Sequence, residues 1–129
     1  MFPESDDDRV IEAVSIIAKE KIAHPFLVGN AEAIQDKAHK LGVKLQGVEI
    51  RDPNDDVNFE AYVKDFCELR KGKGMIEQKA RETLKDFTYF GTMMVFKGHA
   101  DGFVSGACHP TGDTLRPALQ IVKTHDKFH

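Results

Sequence analysis

A chain of 129 residues is long enough for one domain with a packed core and too short for two. Its 41% hydrophobic and 30% charged residues describe an ordinary soluble globular protein, and a net charge of −3 gives no bulk attraction to nucleic acid or an anionic membrane. No apolar run approaches the ~18 residues of a membrane span, the acidic start MFPESDDDRV lacks the order of a signal peptide, and Cys67 and Cys108, without CxxC spacing, suit a reducing cytoplasm.

Ser5 followed by Asp6, Asp7 and Asp8 is a helix start, an oxygen-bearing cap and then acids at the positive end of the dipole. Val10, Ile11, Val14, Ile17 and Ala18 follow at 3.6-residue spacing, which predicts an amphipathic helix over 6–20. HPFLVGN, 24–30, suits a buried strand closed by a turn. Residues 31–41 carry Ala33, Ile34, Ala38 and Leu41 on a second helix ended by Gly42. GVEI, 47–50, is a second strand, and RDPNDD after it is a turn. From Asp55 the pattern turns helical, with Val57, Tyr62, Phe66 and Leu69 in one stripe, until Gly72-Lys73-Gly74 interrupts it. Residues 75–86 form a further helical piece. FTYFGTMMVFKGH, 87–99, is apolar almost all round and reads as a buried helix ended by Gly98, although its aromatics also tolerate a strand. DGFVSGA, 101–107, is β-branched and aromatic between glycines, hence a third strand. A closing helix, 114–124, has Leu115, Leu119 and Val122 on one side. Strands alternating with helices predict an α/β fold, a parallel-type sheet with helices on both faces.

The break SGACHPTGDTLRP, 105–117, lies between the last strand and the last helix, and two readings of it stand open. One is punctuation, since Gly and Asp are ordinary turn residues. The other is an anion site, because ligands of open α/β sheets sit beyond the carboxyl ends of the strands. Gly106 allows a sharp exit from the strand, Thr111 or Asp113 can cap the helix, and Pro117 falls in its first turn. The unpaired amides there suit phosphate, and Arg116 adds a planar donor fork that grips two phosphate oxygens. His109 is either a phosphate donor or general acid, or a hydrogen-bonded loop histidine. Cys108 is either a nucleophile or, with no base beside it in sequence, a buried small hydrophobe. The other histidines show no HxH or HExxH spacing, so no metal site is expected. Arg70, flanked by Lys71 and Lys73, reads alone as a solvated helix end.

ADGFVSGACHPTGDTLRPALQIVKT, 100–124, closely resembles a signature stretch of the phosphotransacetylases, or phosphate acetyltransferases. FPESDDDRVIEA, IAHPFLVGN and FCELRKGKGMIEQKARETLKDFTYFGTMMVFKG resemble other family segments in the same order, so the resemblance covers nearly the whole chain. It implies transfer of an acetyl group from acetyl-CoA to phosphate, giving acetyl phosphate and CoA. Neither a metal nor a prosthetic group is implied, and coenzyme A is a substrate. The implied fold is like that of the isocitrate and isopropylmalate dehydrogenases, two α/β domains around a cleft, in a homo-oligomer. On this resemblance Arg70 matches the arginine of the ELRK motif and Arg116 that of DTLRPALQI, both handling CoA or phosphate. Asp113 and Thr114 shape the loop around Arg116, Thr111 substitutes for a serine at the position of Pro110, and Glu4 and Arg9 lie near the cleft mouth.

Members of that family are more than twice as long, and their catalytic serine, arginine and aspartate lie in a C-terminal portion with no counterpart here. The chain is therefore expected to be a single α/β domain, 1–129, corresponding to the N-terminal fragment of a two-domain phosphate acyltransferase. It is expected to start after a missing leading helix and most of a first strand, to carry no catalytic residue, to show no turnover alone and to associate in solution. Phosphate butyryltransferase and a non-catalytic acetyl-CoA- or phosphate-binding module are the alternatives.

Overall fold

A computed structural model describes residues 1–123; Thr124, the last residue of the expected closing helix, lies outside them with the rest of 124–129. Helix α1 (Asp8–Lys19) is capped by Asp7, whose side chain accepts from the Arg9 amide, two residues later than the Ser5 cap expected. Strand β1 (Phe26–Val28) leads into α2 (Ala31–Leu41), which Asn30 caps and which, as the sequence predicts, Gly42 closes in the left-handed conformation (φ 67°). Strand β2 (Glu49–Arg51) follows, and then α3 (Phe59–Leu69). The Gly-Lys-Gly interruption becomes a single 3-10 turn, Lys71–Lys73, before α4 (Glu77–Thr83). Helix α5 (Phe87–Phe96) settles the helix-or-strand question at 87–99: Asp86 accepts from the amides of Thr88 and Tyr89 and starts the helix. Helix α6 spans Thr111–Ile121.

β1 and β2 pair in parallel with Phe26 opposite Glu49 and Val28 opposite Arg51. The start of the chain extends this sheet on the other side of β1. Phe2 donates to the Phe26 carbonyl at 2.8 Å and accepts from the Val28 amide at 3.1 Å. Beyond it run residues 102–104, where the terminal amine donates to the Gly102 carbonyl and the Val104 amide to the Met1 carbonyl, each at 2.9 Å. Four extended segments therefore lie side by side in the order 49–51, 26–28, 1–2, 102–104. Side chains of β1 alternate between two cores, as a strand's period of two requires. Leu27 packs with Val14 of α1 and Ile34 of α2. Val28 packs on the opposite face with Tyr62 and Phe66 of α3, Phe90, Met93 and Met94 of α5, and Ile121 of α6. The sheet thus carries helices on both faces. No helix among the described residues is long and apolar enough to cross a membrane.

Two expectations fail. Residues 101–107 do not form a strand: only 102–104 run along the sheet, on two hydrogen bonds, because Gly106 (φ 114°) turns the chain and the amides that follow are drawn to a side chain described below. The stripe Leu115, Leu119 and Val122 does not face the core, each residue being about half exposed, while Pro117 and Ile121 do. The helix starts at Thr111 rather than 114 and packs on α5 by its other side.

Candidate anion site at the carboxyl edge of the sheet

Because the extended segments run parallel, their carboxyl ends lie at one edge. That edge gathers Pro3-Glu4-Ser5, Gly29-Asn30, Asp52 and the loop 105–109. Helices α1, α2 and α6 begin there. Asp7 caps the first, and Asn30 the second, with Asp52 also accepting from the Ala31 amide at 3.1 Å. At α6 the N-cap position is Pro110, which supplies no side-chain acceptor, and neither Thr111 nor Asp113 caps it. Thr111, at the first helical position, is exposed.

The loop before α6 is closed on an internal anion. Glu4 is 2% exposed, and its two carboxylate oxygens accept from four consecutive backbone amides. Oε1 takes Gly106 at 2.5 Å and Ala107 at 2.9 Å; Oε2 takes Cys108 at 2.7 Å and His109 at 2.8 Å. Successive amides turned inward form a nest with a fixed positive potential. Burial alone would raise the Glu4 pKa, but the amides of Cys108, Ala107 and His109 and the Cys108 thiol hold it well below the ordinary carboxylate range. Arg9 braces the same loop from outside: its Nη2 donates to the Ala107 carbonyl at 2.7 Å and to Asp7 at 2.7 Å. Glu4 and Arg9, which the resemblance put at the cleft mouth, are joined through this loop.

Two side chains of the loop stand close to the Glu4 carboxylate. Cys108 is exposed rather than buried, and its thiol is pushed up to about 11, chiefly by its hydrogen bond to Glu4. A thiol held in the neutral form is neither a nucleophile nor a good metal ligand at neutral pH. His109 is half-buried with Nδ1 3.8 Å from Glu4. Possible ligand atoms of Glu4, Cys108 and His109 lie within 4.8 Å of one another. Yet the carboxylate is surrounded by N–H donors and the sulfur keeps its proton, a donor set suited to an anion rather than a cation.

Arg116 follows this loop in α6, and Arg70 stands at the end of α3. Arg116 is 60% exposed, 3.6 Å from Asp113 within α6, and its Nη2 folds back over the first turn, 4.0 Å from where a Cβ on Gly112 would stand. Arg70 ends α3; it is half-buried rather than solvated, and its Nε is buried without a partner among the described residues. Both guanidinium groups act on the phenol of Tyr89, which donates to Gln120 Oε1 at 3.0 Å. Burial raises the Tyr89 pKa, and Arg116 and then Arg70 oppose that rise. Thr114 Oγ1 lies 2.9 Å from Ser105 Oγ and so ties α6 to the loop. Sequence reasoning gave Ser105 and Tyr89 no site role.

Two surface grooves lie elsewhere. One, of about 910 Å³, is lined by Ile16, Lys19, Lys21 and Lys44; the other, of about 470 Å³, by Glu60, Cys67 and Glu77. Neither includes a residue singled out above for anion binding.

The sequence matches the phosphate acetyl/butaryl transferase family over residues 1–129. It is 52% identical over 126 residues to the phosphate acetyltransferase of Bacillus subtilis, covering 98% of this chain and 39% of that protein. With the phosphate acetyltransferase of Thermoanaerobacterium thermosaccharolyticum it shares 50% identity over 124 residues, covering 96% and 37%. The crystal structure of a phosphotransacetylase from Streptococcus pyogenes superposes with a TM-score of 0.90 at 42% identity, over 97% of this chain and 38% of that one. The chain thus spans under two fifths of the length of these relatives. With motif order, backbone and identity in agreement from one end to the other, the chain belongs to the phosphate acetyl/butaryl transferase family.

Proposed function

We propose that this chain is the N-terminal part of a phosphate acetyltransferase, acetyl-CoA + phosphate = CoA + acetyl phosphate, and contributes one wall of its substrate cleft. The Arg116 guanidinium folded over a helix start that no side chain caps, with the Arg70 Nε buried and without a partner among the described residues, carries this reading. Anionic oxygens of phosphate or of the CoA diphosphate bind there, Arg116 offering a fork and α6 its first amides. Thr111 supplies an exposed hydroxyl at the mouth, and Thr114 and Asp113 hold the turn that carries Arg116. His109 acts through its backbone. The names of the relatives support acetyl over butyryl transfer.

In this reading the thiolate-activating base and the oxyanion donors come from the remainder of the family's polypeptide, and this chain turns over no substrate by itself. The 1–129 unit is one part of a two-domain, isocitrate dehydrogenase-like protein, cytoplasmic and oligomeric, with coenzyme A as substrate and no cofactor. Calorimetric titration with phosphate and with CoA tests the site on the wild type and on Arg116→Ala. At least one ligand is expected to bind and to lose ten- to a hundredfold in affinity on substitution, the range of one or two charge-assisted hydrogen bonds. Binding of neither ligand, or binding indifferent to Arg116, overturns the reading. Acetyl-CoA formation from acetyl phosphate by this polypeptide alone, at an enzyme's ordinary rate, overturns the division of labour.

A further inference from the structure

We infer that Glu4 is a positioning residue for the anion site: through the loop 105–109 and Ser105 it fixes the first turn of α6, and with it Arg116. The inference rests on the anion-binding reading above. Its basis is an unbroken set of contacts. The Glu4 carboxylate gathers the amides of Gly106, Ala107, Cys108 and His109, and its Oε1 also accepts from Ser105 Oγ at 3.2 Å. Ser105 Oγ then meets Thr114 Oγ1 at 2.9 Å, two residues before Arg116. With Ser105 donating to Glu4, Thr114 donates to Ser105, and every hydrogen of the chain points toward the one negative charge. No loop contact made by Glu4 spans fewer than 101 residues, so no local preference of the backbone substitutes for it.

Helix α6 is held in two places by different forces. Its C-terminal half is docked by apolar packing, Pro117 and Ile121 being buried against the α5 side. Its first turn has no cap, and the contacts that tie it down run through Thr114, Ser105 and Glu4. Removing the carboxylate therefore loosens the end that carries Thr111 to Arg116 while the other end stays in place. Uncharged glutamine does not reproduce the clamp, because its NH₂ group confronts N–H donors on one side.

The test uses the full chain with inorganic phosphate as the probe, on wild type, Glu4→Gln and Glu4→Ala, with amide NMR read alongside. In Glu4→Gln the amides of Gly106 to His109 are expected to exchange at least tenfold faster, phosphate affinity to fall about tenfold, and the amides around Val14, Leu27 and Ile34 to stay protected. Formate added to Glu4→Ala refills the nest and is expected to restore loop protection and phosphate affinity together, with wild type in formate as the control. Phosphate binding by the wild type that survives Glu4→Gln unchanged overturns the positioning role alone. No phosphate binding by the wild type overturns the anion site and the positioning role with it, while the loop amides still report whether the clamp exists. A Glu4→Ala chain that formate does not bring back to folding and binding makes Glu4 a structural residue and overturns the role as well.

Discussion

Gly29 stands where β1 leaves the sheet, and a methyl group there would collide with the segment that carries Glu4. A Cβ built on Gly29 lies 2.1 Å from Ser5 Oγ, 3.1 Å from Ser5 Cβ and 3.1 Å from Ile34 Cδ1. The backbone itself tolerates alanine, since φ is not in the left-handed region, so the cost of Gly29→Ala is steric. Ser5 is 4% exposed and Ile34 2%, which leaves little room to yield. The Ile34 methyl is the end of a flexible chain and gives by a few tenths of an ångström. The hydroxyl has to rotate, at ~0.5–1.5 kcal/mol for a strained rotamer, or the 3–5 segment has to shift, at ~1–3 kcal/mol for overpacking. Gly29→Ala is accordingly expected to destabilise by about 2 kcal/mol, read as a lower urea midpoint at unchanged slope. Ser5→Ala removes the hydroxyl and keeps the Cβ, so in the double variant at least half of that loss is expected to return, a favourable coupling of about 1 kcal/mol. Gly91 is the contrast. A Cβ there meets the Sδ and Cε atoms of Met1 at 2.3 Å, the mobile end of a thioether, and Gly91→Ala is expected to cost under about 1 kcal/mol. Gly29→Ala within about 0.3 kcal/mol of wild type, or with a loss that Ser5→Ala leaves untouched, refutes the steric argument.

Acid stability follows from two depressed carboxylates. Glu4 and Asp56 both titrate below their ordinary values of 4.5 and 3.8; for Asp56 burial pushes the other way, and the hydrogen bonds it accepts from Arg51 and the Asn58 amide, with the Arg51 charge, together outweigh it. A folded pKa below the unfolded one gives stability that is complete above the unfolded pKa and is lost as the pH falls toward the folded one, at ~1.4 kcal/mol per unit of depression. Urea midpoints are expected to be flat from pH 7 to about 5 and to fall steeply below 4, with Asp56→Asn giving a lower plateau and a shallower acid limb. In a Cys67→Ser background, Cys108 is expected to react with iodoacetamide at pH 8 about a hundredfold more slowly than an ordinary thiol, its pKa standing at about 11 against 9.0. Glu4→Gln should accelerate it. On α6, Leu119→Lys at a 57% exposed position is expected to change stability by less than about 0.5 kcal/mol. Ile121→Ala at a 1% exposed position should cost ~2–4 kcal/mol, a reversal of that order placing the core on the wrong face of the helix.

Helices were legible where local chemistry decides them. Gly42 after Leu41 fixes a terminus through contacts within a turn of the residue itself, whereas the Asn30 and Asp86 caps, equally local, are residue types that serve turns as readily and are not legible as caps. The stripe on α6 was not, because Leu115, Leu119 and Val122 have helical spacing whichever side is covered, and only the packing of Pro117 and Ile121 on α5 selects the inner face. Arg70 and Arg116 show the same division. Their residue type is visible in the sequence, but their placement depends on how α3, α5 and α6 pack around one core.

The loop 105–109 shows how a correct chemical reading can still miss the partner. Its amides do hold an anion, as the glycine and the helix that follows suggest, but the anion is Glu4. Nest donors are backbone groups and leave almost no mark on residue type beyond Gly106 and its positive φ. The occupant follows from topology. Residues 1–2 and 102–104 run side by side and in the same direction, so both leave the sheet at one edge, and a carboxylate two residues past Phe2 meets the amides two residues past Val104. With those donors saturated, the anion site proposed above is left with the uncapped start of α6 and Arg116. In that proposal, filling the nest from within turns an external phosphate toward the side of the loop on which Arg116 stands.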